Sequence, residues 1–217
     1  MTARTRIKIC GITRLCDALQ VARLGGDAIG LVFHSRSPRA IELDNALQIR
    51  SAIPPFVTVT ALFMNENETW ISQVLETVKP DCLQFHGEET AEFCRQWSKP
   101  YLKAVPMGSV MDASRYADQF PDAQGFLLDS NVAGRQGGSG DTFDWSKIPS
   151  NFDFSLVLAG GLNPSNVAAA ITQVKPWGVD VSSGVERSRG IKDSDLIDQF
   201  FKQVNLADVK QYSESNT

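Results

Sequence analysis

At 217 residues, with 42% hydrophobic and 21% charged positions, the chain is long enough to bury a core of its own and too balanced to be disordered. Its 21 Lys and Arg against 25 Asp and Glu give a net charge of −4, which argues against a nucleic-acid-binding domain but not against a small anionic ligand held locally. No run reaches the ~18 apolar residues that span a bilayer. Lys8 interrupts the apolar stretch near the N-terminus, so neither membrane insertion nor export is expected. Cys10, Cys16, Cys82 and Cys94 form no CxxC pair, and only His34 and His86 accompany them. A zinc site is therefore poorly supported, and reduced thiols in the cytoplasm are the plain reading.

Along the chain, short apolar runs alternate with amphipathic stretches. Strands are predicted over 6–10, 28–33, 57–63, 82–86, 101–105, 125–129, 155–159 and 179–182. Helices are predicted over 15–24, 43–52, 69–78, 91–97, 165–174 and 195–204. The last carries Leu196, Ile197, Phe200, Phe201 and Val204 at the spacing of one buried face. Asn163-Pro164 reads as an N-cap followed by proline at the first helical position. One domain over 1–207 is expected, with 208–217 as a polar, frayed tail.

Eight strand–helix units at about 27 residues each imply parallel pairing and a closed (β/α)8 TIM barrel. An open doubly wound sheet is the rival, but Gly11-Ile12-Thr13 after the first strand is not the glycine fingerprint that fold would place there. In a barrel, the C-terminal ends of the strands and the loops beyond them carry function.

Those ends hold the candidate residues. Gly160-Gly161 and Ser183-Gly184 follow strands seven and eight, the two loops that frequently bind phosphate in such barrels. The bland alternative is that Gly160-Gly161 merely turns the chain into the next helix. Cys10 shares a strand face with Lys8, whose ammonium would lower the thiol pKa and suit Cys10 to act as base or nucleophile. Against that, a free cysteine is more often a small buried hydrophobe, as Cys16, Cys82 and Cys94 are read here. Asp129 ends the apolar run 126–128, fitting either an acid or base with a raised pKa or a turn residue. Arg36 and Arg39, after strand two, offer a guanidinium fork to a carboxylate or are solvated charges. The glycine-rich stretch 131–144 is long for a connection and reads as a binding loop or lid, without the GK[ST] of a Walker A loop.

Seven motifs resemble those of the phosphoribosylanthranilate isomerases, in family order over nearly the whole chain: KICGIT (8–13), LVFHSRSPRAI (31–41), LQFHGEE (83–89), LLD (127–129), GGSGDTFDW (137–145), LAGGLNPSNV (158–167) and GVDVSSGVE (178–186). The resemblance implies a barrel enzyme of tryptophan biosynthesis that isomerises N-(5-phosphoribosyl)anthranilate by an Amadori rearrangement. It implies Cys10 as general base, Asp129 as general acid and Arg39 as the holder of the anthranilate carboxylate. Gly160, Gly161, Ser183 and Gly184 would cradle the phosphate, and His86 and Asp180, inside two of the motifs, are expected to touch substrate. That chemistry requires no metal, nicotinamide or flavin, so no cofactor is expected. The expected partner is the phosphosugar substrate alone, with the chain a monomer or a homodimer. Asp141 departs from the lysine that many members carry after GGSG or GGTG. Two other readings are a different phosphosugar isomerase, such as the histidine-pathway enzyme, and a non-catalytic phosphosugar-binding barrel. The first is expected to show a two-fold repeat with paired aspartates, and the second to have lost Cys10 or Asp129; neither matches this sequence.

Overall fold

A computed structural model of the chain describes residues 4–130, 142–149 and 152–215. Eight parallel strands close a barrel: β1 (Arg6–Cys10), β2 (Ala28–Val32), β3 (Thr58–Phe63), β4 (Cys82–Phe85), β5 (Tyr101–Pro106), β6 (Gly125–Asp129), β7 (Leu156–Leu158) and β8 (Gly178–Val181). Each strand pairs with the next, and β8 closes on β1 with Lys8 opposite Asp180 and Ile9 opposite Val181. Around it run α1 (Leu15–Arg23), α2 (Leu43–Ala52), α3 (Glu68–Val78), α4 (Ala91–Arg95), α5 (Ala113–Ala117), α6 (Val167–Val174) and α7 (Ser194–Ser215). This is the predicted (β/α)8 TIM barrel. No described helix is long and apolar enough to cross a membrane.

Strand alternation sorts the side chains into two populations. Ile9, Ile29, Leu31, Phe63, Phe85, Phe126 and Leu128 point outwards and pack with Val21, Ile71, Val74, Ile171, Phe200 and Val204 in one large core. The alternate positions face the barrel axis. There Ala104, Leu127, Val157 and Ala159 form a small apolar plug, beside the buried polar side chains of Lys8, Thr60, Gln84, Asp129 and Asp180. The outer layer therefore supplies cohesion, and the inner layer is free to carry chemistry.

The structure departs from the sequence reading at four places. Helix α5, whose Asp112 cap accepts from Arg115 N, was not singled out, since the only residues it buries are Ala113 and Ala117. After β8 the chain makes a 3₁₀ turn over Ser183–Val185 and then an antiparallel hairpin of β9 (Glu186–Ser188) and β10 (Ile191–Lys192). Helix α6 starts at Val167 instead of beside Asn163. Asn163 Oδ1 accepts from Ser165 N and Asn166 Oδ1 accepts from Asn163 N, both at 2.8 Å, so Pro164 lies in a side-chain-bonded turn ahead of the helix. Finally, the expected frayed tail after Ala207 is the end of α7, which continues to Ser215. Asp208 accepts from Thr5 N and Oγ1, and Gln211 Nε2 donates to Ile171 O, tying that end to β1 and α6.

One outward-facing position breaks the apolar rule. Lys103 on β5 is fully buried, with its ammonium over the Phe120 ring. Nζ donates to Gly87 O at 2.6 Å and Glu89 Oε2 at 3.1 Å, while Glu89 accepts from Asn65 N and Gly87 N. The pair thus staples the loops that follow β3 and β4. Removing one partner of a buried ion pair strands the other's charge. Lys103→Met is expected to lose about 3–5 kcal/mol in urea unfolding. Adding Glu89→Gln should recover part of that loss.

Candidate active site

The C-terminal mouth of the barrel opens into a pocket lined by both polar and apolar side chains. Cys10, Arg39, His86, Asp129, Gly160, Gly161, Asp180 and Ser183 all line it. Gly184, the remaining sequence-predicted residue, sits one position beyond Ser183 in the 3₁₀ turn. Arg36 is exposed and is the solvated member of the arginine pair. Residues 131–141, most of the stretch read as a binding loop and including Asp141, lie outside the described residues.

Cys10 ends β1 and is 5% exposed. Its neighbour is the buried pair formed by Lys8 Nζ and Asp180 Oδ1 at 3.0 Å. Gly30 makes room for both: a Cβ there would lie 2.6 Å from Cys10 Sγ and 3.1 Å from Lys8 Nζ. Lys8 was expected to lower the thiol pKa, and its ammonium does pull in that direction. Burial outweighs it, however, and with Asp180 pushes the Cys10 thiol above its ordinary value, despite the further help of the Lys192 ammonium. For Lys8 itself, burial opposes the charge, but Asp180 and Cys10 together hold its pKa raised. Cys10 is the one cysteine lining the cavity among the described residues. Cys82 and Cys94, away from it, are pushed by burial to about 11 and about 12.

Asp129 ends β6, three strands round the barrel from β1. Its Oδ2 lies 3.4 Å from His86 Nε2, and Ser130 Oγ donates to Oδ1 at 3.4 Å. His86 is steadied from below by Gln84, whose Nε2 lies 3.0 Å from His86 Nδ1. The acid and base candidates therefore stand on different walls of one cavity, where they can reach different atoms of one ligand.

Between those walls, the loops after β7 and β8 meet backbone to backbone. Gly160 and Gly161 both have positive φ, 78° and 64°. A Cβ on Gly160 would fall 2.5 Å from Ser130 N, and one on Gly184 would fall 1.9 Å from Leu162 O. Only glycine fits either position. The N–H groups of Gly161, Ser183 and Gly184 donate to no acceptor among the described residues, which leaves donors for an anion.

Arg39 is held from behind. Its Nε and Nη2 donate to Glu186 Oε1 and Oε2 at 2.7 and 2.9 Å, and Lys192 Nζ lies 3.0 Å from the same Oε1. Burial raises the Glu186 pKa, but Arg39 and Lys192 outweigh it and hold the carboxyl below its usual range. Sequence reasoning missed Glu186, Lys192, Gln84 and His34, the last lining the cavity with Nδ1 2.7 Å from Glu66 Oε1. Gln84 alone had a usable signal, standing two residues before His86 on the same strand face.

The family model described as N-(5'-phosphoribosyl)anthranilate (PRA) isomerase matches residues 7–203. The chain belongs to that family. It is 48% identical over 202 residues to the N-(5'-phosphoribosyl)anthranilate isomerase of Nitrosococcus oceani, covering 93% of this chain and 98% of the relative. Among solved structures, it is similar to the phosphoribosylanthranilate isomerase of Thermotoga maritima, with TM-score 0.81, 41% identity, and 93% and 98% of the two chains covered. It is also similar to monomers generated from that dimeric enzyme, with TM-score 0.79, 39% identity, and 93% and 98% covered. The isomerase thus belongs to a family of tryptophan biosynthesis with both monomeric and dimeric solved forms.

The ionisation of Cys10 can be followed directly. In this isomerase its alkylation by iodoacetamide, read on the Cys10 peptide by mass spectrometry, is expected to rise with pH. The midpoint should lie above the ~8.5 of a free cysteine. Lys8→Met, which removes a cation that lowers the thiol pKa and leaves Asp180 beside it, should move the midpoint higher still. A midpoint that falls in this variant rejects the role of Lys8.

Proposed function

We propose that Cys10 and Asp129 are the general base and general acid with which this isomerase rearranges N-(5-phosphoribosyl)anthranilate to 1-(2-carboxyphenylamino)-1-deoxyribulose 5-phosphate. The observation that carries the assignment is their convergence on one cavity from separate strands, with backbone N–H donors between them.

Asp129 donates its proton to the furanose ring oxygen. The ring C–O bond breaks as the nitrogen lone pair forms a protonated imine at C1′. That cation acidifies the adjacent C2′ proton, so a base of modest strength can remove it. The base is the thiolate fraction of Cys10, kept accessible by the ammonium groups of Lys8 and Lys192. The imine cation beside the thiol further favours the ionised form. The resulting enolamine then tautomerises to the ketone.

The other groups bind and orient. Gly160, Gly161, Ser183 and Gly184 receive the phosphate through backbone N–H groups, and Arg39 receives the anthranilate carboxylate. His86 steadies the Asp129 carboxyl, and Asp180 holds Lys8 beside the base while facing the sugar. Every group in this account comes from one chain, so a monomer is competent and a homodimer is not required. A phosphorylated metabolite as substrate and four free thiols favour the cytoplasm as its compartment.

Turnover is read from the loss of anthranilate-adduct fluorescence on substrate generated in place. Cys10→Ala and Asp129→Asn are each expected to lower kcat by ~10²–10⁴-fold with the circular dichroism spectrum unchanged. Turnover near that of the native enzyme in either variant rejects its assigned role. Arg39→Ala should chiefly raise KM, and an unchanged KM removes Arg39 from the carboxylate.

A further inference from the structure

The hairpin of β9 and β10 brings two buried charges behind Arg39. Its turn residue Gly190, at φ 79°, packs so closely on the β2 loop that a Cβ would lie 2.7 Å from Pro38 O. Thr13 Oγ1 donates to Gly190 O, seating the tip against the loop after β1 as well. At the hairpin's base, Lys192 is 1% exposed, and its Nζ donates to Ser182 O at 2.9 Å beside the glycine cradle. The same ammonium lies 3.0 Å from Glu186 Oε1, and Glu186 takes the Nε and Nη2 edge of Arg39.

The charges in this cluster do not balance. Arg39 and Lys192 contribute two positive charges and Glu186 one negative, all with side chains no more than 8% exposed. Glu186 alone would neutralise Arg39. Lys192 offsets Glu186, and so leaves Arg39 with a net charge for a ligand. A guanidinium carries five N–H donors, of which Glu186 occupies two. The rest of the fork is left for the cavity that Arg39 lines.

We propose that Glu186 and Lys192 are positioning residues that give the enzyme its selectivity for an aryl group bearing a carboxylate. Glu186 fixes the plane of the Arg39 fork, and Lys192 keeps the cluster one negative charge short of neutrality until the substrate carboxylate arrives. The inference rests on the assignment of Arg39 to that carboxylate.

The test compares two substrates made in place from ribose 5-phosphate, the glycosylamine of anthranilate and that of aniline, which lacks the carboxylate. Product formation is followed by chromatography, and the readout is the ratio of their kcat/KM values. Damage to folding or to the phosphate cradle lowers both rates alike and cancels in the ratio. Lys192→Met and Glu186→Gln are each expected to reduce the ratio about tenfold or more, through loss of the anthranilate adduct's rate alone. Arg39→Ala is the reference and should bring the ratio towards unity. If Arg39→Ala does so while both other variants leave the ratio unchanged, the positioning role is overturned and the Arg39 assignment stands. If Arg39→Ala itself leaves the ratio unchanged, the assignment fails and the inference fails with it.

Discussion

The seam between the first and last strands is the contact on which the site depends. Pairing of β8 with β1 closes the barrel, and Lys8 and Asp180 face each other across it as a buried ion pair. Without closure, Cys10 would sit at the edge of an open sheet, far from the glycine loops that come ~150–170 residues later. With closure, the thiol and the glycine loops share one rim, with the Lys8 ammonium buried beside the thiol. Two buried charges are tolerable there because each has the other at 3.0 Å. The same pair sets the electrostatics of Cys10, pulling its pKa down through Lys8 and up through Asp180.

Buried charge is used repeatedly to hold the loops at the mouth of the barrel. The barrel strands are cohesive through their outer apolar faces, but loops at the mouth have no such layer. Lys103 and Glu89 fasten the loops after β3 and β4, the second of which holds His86 against Asp129. Glu186 and Lys192 fasten the loop after β2 to the end of β8, and with it Arg39. In each case a carboxylate or ammonium reaches several groups at once, backbone and side chain, which no apolar contact of similar size can do with comparable directionality. Each staple also strands a charge when one partner is lost, so the mouth is more sensitive to single substitutions than its small share of the core implies.

The alternation of strand residues separates these tasks. Outward positions answer to packing, and inward positions near the mouth line the pocket. Gly30 shows how tightly they are coupled: its missing side chain is the space that Cys10 and Lys8 occupy. Gly160 and Gly184 do the same where two loop backbones touch. Small residues on the inner face thus make room for the few large polar ones.

The eight strands were legible because each is a local apolar run, and the type of a short run survives without knowing its neighbours. Cys10, His86 and Asp129 were legible as residues standing at strand ends, and the glycine loops as turns in the two units where phosphate is commonly bound. Helix α5 and the β9–β10 hairpin were not, since α5 buries only Ala113 and Ala117 and the hairpin strands are three and two residues long. Nor was the end of α7, which is held by Asp208 on Thr5, 203 residues away in the chain. Thus local patterning by itself determined the barrel, its site-bearing rim and the types of residue on it. Only the tertiary structure decided that Glu186 backs Arg39 across 147 residues and that burial overrides Lys8 at Cys10. The reason is physical: strand type depends on neighbours in sequence, whereas ion pairing and desolvation depend on neighbours in space.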